Sequence, residues 1–259
     1  MTAAQRAVFW ELLGKWALAF GLIIVFVIFT SQGKTAATVA FLYIPIYWID
    51  RHDKTVRDFG LRFDRWRDDL KALAVMVALV FPPFIACFWG FVQLLPHLPA
   101  EWVALATPYG GELPHLAFHL PDPPLPPSLV TGLGWVGVSL TGTAERAVAL
   151  GLLVVDQFLV VALAEEFFYR GFLQTRLREA FPQGRVWLGV KFGPAFWITQ
   201  ALFAVGHLAE FHPWRLAVFF PAVLFGMLRE RTGRLPAGIA FHALCNLAIF
   251  TLEASAFAR

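Results

Sequence analysis

Charge is what this sequence has least of. Of its 259 residues only 15% are charged and 58% are hydrophobic, whereas a soluble domain would carry about 25% charged and roughly 45–50% apolar residues. That imbalance excludes an ordinary soluble fold. Cysteine occurs twice, as Cys87 and Cys245 within apolar runs, which excludes a disulfide framework, and neither has a nearby activating pattern for a thiol nucleophile. No Lys or Arg falls between positions 96 and 145. There is no internal repeat of solenoid period, no His-Glu-x-x-His of a metalloprotease and no Gly-x-Gly-Asp of an aspartyl intramembrane protease. The formal net charge of +3 is small, and the basic residues sit in short connections between apolar runs. They read as topology signals and lipid headgroup contacts, so nucleic acid is not an expected partner.

What the chain has in abundance is apolar length, with 10 Trp and 27 Phe suited to lipid-facing surfaces and interfacial belts. The reading is an all-α, polytopic transmembrane helical bundle. A bilayer core of about 30 Å asks for about 20 helical residues, and about seven runs (six to eight) approach that: 15–30, 36–49, 72–95, the run from about 146, 193–209, 214–229 and 235–252. Arg6 and Lys15 ahead of Trp16–Thr30 resemble a signal anchor. The second run is short, and Pro82-Pro83 predicts a kink in the third. Residues 51–71 carry seven Lys or Arg and five Asp, interleaved with Phe59, Leu61, Phe63, Trp66 and Leu70, which suits an amphipathic segment on the membrane surface or a solvated loop. Residues 96–145 form a Pro-rich outer loop. The domain division follows: 1–145 as an N-terminal membrane region and 146–259 as the core that carries chemistry. Arg51–Lys71, Arg176–Lys191 and Arg229–Arg234 hold the basic connections, so the positive-inside rule places the N-terminus in the cytoplasm.

Three pieces of the core hold ionisable or polar groups where a chain in lipid least tolerates them. The first is Glu165-Glu166-Phe-Phe-Tyr-Arg170, in which Glu166 and Arg170 are i,i+4 neighbours able to pair, while Glu165 is rotated by about 100° and lacks that cation. The second is Phe203-Ala-Val-Gly-His207, whose ring can pack on the imidazole one turn away. The third is His242-Ala-Leu-Cys-Asn246, again one turn apart. Small residues Ala204, Gly206, Ala240 and Ala243 permit close helix contact. Taken singly, each His or Asn has an ordinary explanation as a helix–helix hydrogen bonder, and the Glu166–Arg170 pair as a structural ion pair. Together the set suits peptide-bond hydrolysis: a carboxylate that takes a proton from water, a His that shares that proton or orients the water, and a second His with an amide to stabilise an oxyanion. Asp156 and Gln157, in the same span as the glutamates, are left without a role.

These three pieces resemble the signature of the CAAX protease and bacteriocin-processing (CPBP) family of intramembrane endopeptidases, Glu-Glu-x-x-x-Arg, Phe-x-x-x-His and His-x-x-x-Asn, in the family's order. Gly226-Met-Leu-Arg-Glu-Arg-Thr-Gly-Arg-Leu before His242 is similar to the family's approach to its last motif, and Asp58-Phe-Gly-Leu-Arg62 to a weaker feature before the core. The resemblance covers about a third of the chain. It implies a helical membrane fold in a bacterial cytoplasmic membrane, with a protein or peptide substrate entering from the membrane or cytoplasmic side. It implies Glu165 as the water-activating base assisted by His207, His242 and Asn246 as oxyanion donors, and Glu166, Arg170 and Phe203 as their supports. No cofactor is expected on this reading. The alternative within the same residues is a zinc ion held by Glu165, His207 and His242 with an open water position.

Two other readings stand beside it. Gly137-Val138-Ser139 superficially resembles a rhomboid nucleophile but lies near the outer loop. A non-catalytic protein, either a transporter or an immunity or peptide-binding factor of the same family, would also hold intramembrane Glu, His and Arg; the lack of an evident inverted repeat argues against the transporter.

Overall fold

A computed structural model describes residues 1–30, 32–99, 101, 143–211 and 213–257. Most of the Pro-rich loop and Gly137-Val138-Ser139 lie outside the described residues. The described chain is predominantly helical, as its apolar runs require: in lipid every backbone N–H and C=O must be paired within the segment. The helices are α1 (Ala3–Thr30), α2 (Gly33–Asp50) and α3 (Trp66–Leu94). Then comes α4, a continuous helical run over 143–180, followed by α5 (Pro194–Gly206), α6 (Phe219–Thr232) and α7 (Pro236–Phe257). Pro45 and the Pro82-Pro83 pair lie inside α2 and α3.

Four stretches are long and apolar enough to cross a bilayer: Ala3–Thr30, Trp66–His97, Ala147–Ala180 and Pro236–Glu253. The expectation of seven spans is thus met in full length by four among the described residues. The reason is geometric. Helices α2, α5 and α6 have 18, 13 and 14 residues, and at about 1.5 Å per residue they reach about 27, 20 and 21 Å, short of the roughly 30 Å hydrocarbon thickness.

Residues 51–65 run as turns, and helix resumes at Trp66. Within those turns the Asp58 carboxylate accepts the Thr55 N–H (2.8 Å) and hydroxyl (3.0 Å), which holds its pKa below the ordinary carboxylate value, the backbone bond first. Phe59 is buried against Trp48 and Phe172. Gly60 has φ of +90°, a conformation that disfavours any side chain, and its carbonyl accepts the Leu235 N–H at 2.8 Å. A short antiparallel hairpin, β1 (Arg185–Trp187) with β2 (Val190–Phe192), joins α4 to α5. Sequence reading did not anticipate it.

The chain divides into two compact units. The first comprises Met1–Val80 and Val160–His242, the second Phe81–Leu159 and Ala243–Arg259. In the first, α1 packs on α2 and on the end of α4, α2 on the middle of α4, and α5 on α6. Its buried centre is aromatic: Phe167, Phe168, Phe172, Phe196, Phe203 and Phe241 are all essentially inaccessible. In the second unit, Val92, Leu95 and Ala149 are buried.

Candidate active site

The glutamate pair stands at a break in helical regularity. In α4 the α-helical turns Thr143–Val155 give way to a π-helical stretch, Asp156–Ala162; four α-helical residues, Leu163–Glu166, follow; and a second π-helical stretch covers Phe167–Leu173 before α-helix resumes at Gln174–Ala180. A π turn inserts a residue and shifts which side chains share a face, and such turns are frequent at functional sites. Here they bracket Glu165 and Glu166.

Glu166 and Arg170 are fully buried. Arg170 Nη1 donates to Glu166 Oε1 at 2.9 Å, and Nη2 donates to Gln200 Oε1 at 3.0 Å and to the Ala222 carbonyl at 3.1 Å. The guanidinium carbon lies 4.2 Å from the Phe203 ring centre and 5.2 Å from that of Phe225, so the cation is held by a carboxylate, two neutral oxygens and two ring faces. Removing one partner of such a pair leaves an uncompensated charge, at a cost of about 3–5 kcal/mol.

The same Glu166 Oε1 lies 2.9 Å from His242 Nδ1. A carboxylate paired with arginine is an acceptor, so Nδ1 carries the proton and Nε2 points onward. On that side stands Glu165, its Oε2 3.7 Å from His242 Nε2. Glu165 Oε2 is buried and has no hydrogen-bond partner among the described residues. The His242 ring is also stacked on Phe225, with centroids 4.4 Å apart and planes inclined by 12°, so its orientation is fixed at both a nitrogen and a face.

His207 ends α5, where the helix tightens to a 3₁₀ turn over His207–Glu210. Its Nδ1 donates to the Phe203 carbonyl one turn back at 2.9 Å, which leaves the Nε2 lone pair available. The Phe203 ring lies 4.6 Å from the His207 ring and 5.9 Å from that of His242. One phenylalanine therefore packs against both imidazoles and the arginine. Behind it, Tyr169 presents its edge to Phe203. A Cβ on Gly206 would lie 2.6 Å from the Tyr169 hydroxyl oxygen, so this glycine makes room for the phenol.

Glu165, Glu166, Arg170, Phe203, His207 and His242 thus belong to the first unit. Glu166, Arg170 and His242 are directly bonded, Glu165 faces His242, and Phe203 is their common wall. Asn246 follows His242 by one turn on α7 and belongs to the second unit, where its Nδ2 donates to Gln157 Oε1 at 2.9 Å. No group of three or more His, Cys, Asp or Glu side chains among the described residues is set to hold a metal ion.

Sequence reasoning missed Gln200, Phe225 and the Ala222 carbonyl. Gln200 left a trace: it is a buried polar side chain in an apolar helix, seven residues and so two turns before His207 on one face. Its Nε2 donates to the Phe196 carbonyl and to Gln174 Oε1, and Gln174 donates to Glu230. A polar chain therefore runs from Glu166 through Arg170, Gln200 and Gln174 to Glu230. Phe225 left no trace, being one more aromatic among many.

Residues 147–248 match the family described as type II CAAX prenyl endopeptidase Rce1-like. That interval contains every residue of the three motifs, so the resemblance read from them is borne out over it. No curated protein and no solved structure matches the chain.

Proposed function

We propose that this protein is an intramembrane endopeptidase that hydrolyses a peptide bond in a membrane-associated or C-terminal segment of a protein or peptide, with water activated by Glu165. One observation carries the reading. A buried carboxylate oxygen without a hydrogen-bond partner among the described residues, Glu165 Oε2, faces an imidazole whose far nitrogen is held by a second, arginine-paired carboxylate. Glu166 Oε2 is open as well, but Glu166 is already neutralised by Arg170. An open oxygen on the glutamate without a bonded cation among the described residues, beside an oriented imidazole, suits a water and its proton.

The chemistry then runs as follows. Glu165 takes a proton from water, with His207 Nε2 as the acceptor that orients it, and the oxygen adds to the scissile carbonyl carbon. The oxyanion that forms is met by N–H groups of His242 and, on the motif, Asn246. For His242 Nε2 to donate, both ring nitrogens must carry protons, and carboxylates on both sides of the ring face that charge. The C–N bond breaks as Glu165 returns its proton to the leaving amine. Glu166, Arg170 and Phe203 hold the ring and the charge in place. The family match over this region makes a prenylated C-terminal segment the first substrate class to try.

The test is cleavage of lipidated C-terminal peptides by the purified protein in nanodiscs, read by mass spectrometry, beside Glu165→Gln. A wild-type protein that cleaves while Glu165→Gln has lost about 10²-fold or more supports the reading; equal rates would refute the role of Glu165. A peptide that is bound by wild type yet never cut would favour a peptide-binding factor instead.

A further inference from the structure

We propose that Gln157 is a positioning residue that aims the Asn246 side chain, and that Asp156 sets which way Gln157 points; the catalytic consequence rests on the protease reading above. Asparagine occurs once in the whole sequence, at 246, inside an apolar helix. A primary amide there has two N–H donors and one carbonyl, and can present either end to a neighbour. Gln157 lies in the apolar span Ala147–Ala180 and is only 4% exposed, which is costly for an amide unless its groups are paired.

Donor and acceptor chemistry fixes the order of the three side chains. An ionised Asp156 only accepts, so it must face the NH₂ of Gln157, and Gln157 Nε2 lies 2.9 Å from Asp156 Oδ2. That turns the Gln157 carbonyl the other way, onto Asn246. Its Oε1 accepts one N–H of Asn246 Nδ2 at 2.9 Å. One donor of Asn246 is thereby anchored, its amide plane is held, and the second N–H has a defined direction. Without the acid, Gln157 could rotate and present its NH₂ to Asn246, which would then turn its own carbonyl to Gln157, flipping its amide and changing the direction in which its N–H groups point. Both Asp156 and Gln157 stand at the opening of the first π-helical stretch of α4, where the altered register presents consecutive residues differently from an α-helix. Recruitment of an oriented amide gives that π-helical stretch a specific purpose.

The single asparagine makes the test direct. Protein labelled only with side-chain ¹⁵N-asparagine, in nanodiscs, should show one NH₂ pair with two unequal, slowly exchanging protons. Gln157→Met keeps the volume and removes the acceptor; the pair should move and its two protons should become more alike. An unmoved pair would overturn the positioning role, whatever the protein's activity. For turnover, Asn246→Ala should lose about 10²–10³-fold in kcat, as for an oxyanion donor. Gln157→Met should lose about tenfold or more in kcat with KM within about twofold. The exchange Asp156→Asn with Gln157→Glu reverses the 156–157 hydrogen bond, keeps an acceptor at 157 for Asn246 Nδ2, and removes the like-charge contact that Gln157→Glu alone creates. It should recover kcat relative to Gln157→Glu alone. A fall in melting temperature with kcat untouched would show Gln157 to be structural only and overturn the proposal. If Gln157→Met moves the NH₂ pair but Asn246→Ala retains full kcat, the aiming stands and the protease role of Asn246 fails.

Discussion

Glu166 Oε1 and His242 Nδ1 lie 2.9 Å apart, and the same oxygen takes Arg170 Nη1, also at 2.9 Å. One carboxylate oxygen therefore serves an ion pair within α4 and the orientation of an imidazole on α7. The two neighbouring glutamates differ in what they hold: Glu166 bonds a cation and an imidazole through one oxygen, while Glu165 has no bonded cation among the described residues and faces the imidazole's other nitrogen.

Glu165→Gln should leave folding nearly intact while abolishing turnover. Glu166→Gln strands Arg170 among neutral oxygens and loosens His242, so it should lower the melting temperature by the equivalent of about 3–5 kcal/mol and lose activity with it. Arg170→Gln should behave similarly, and the double change Glu166→Gln with Arg170→Gln should regain part of the stability. Melting and cleavage of all four variants check this. A Glu166→Gln protein as stable as wild type would contradict the assignment.

Gly206 gives a test of packing behind the site. A Cβ there meets the Tyr169 hydroxyl at 2.6 Å, and the phenol ring is hemmed in by Phe41, Phe168 and Phe203. Gly206→Ala should destabilise by about 1–3 kcal/mol, the usual cost of overpacking. Adding Tyr169→Phe removes the oxygen the methyl would strike, so the pair should be more stable than Gly206→Ala alone. Additive losses in melting temperature would show that the two residues do not conflict.

Metal dependence separates the two chemistries that the residues Glu165, His207 and His242 allow. If Glu165 acts on water directly, cleavage should survive chelation, and purified protein should contain less than stoichiometric zinc by elemental analysis. Loss of activity on chelation with rescue specific to zinc would establish the three-ligand site instead.

The local relationships were legible in the sequence because helical spacing alone decides them. Glu166 with Arg170 and Phe203 with His207 stand one turn apart, and both contacts exist. Relationships between helices were legible only as a family resemblance. Nothing in the spacing says that His242 reaches Glu166 across 76 positions, or that Gln200 completes the arginine's shell from 30 residues away. The π-helical stretches were invisible because no residue type specifies them; they depend on what packs alongside. Of the seven runs, four have full spanning length and composition among the described residues, and the short helices α5 and α6 show why: composition does not measure length across a bilayer.

Sidedness follows from contacts as well as from charge. Arg234 donates from Nε to both carboxylate oxygens of Asp69, at 3.1 and 3.0 Å, in a buried pair, and the Leu235 N–H meets the Gly60 carbonyl. These bonds tie the basic segment 51–71 to the basic segment 229–234, so both must lie on one side of the membrane. Arg176 in turn reaches Glu11 at 3.3 Å, which brings the end of α4 to the N-terminal half of α1. By the positive-inside rule the joined side is expected in the cytoplasm. The test starts from a protein with Cys87 and Cys245 replaced by serine and places single cysteines as Lys54→Cys, Arg185→Cys and Arg231→Cys. A membrane-impermeant maleimide should fail to label all three in intact cells and label all three after permeabilisation. Labelling of all three in intact cells would reverse the orientation while keeping the fold. Labelling of Lys54→Cys but not Arg231→Cys would contradict the fold itself, because the Asp69–Arg234 pair cannot form between opposite faces of a bilayer.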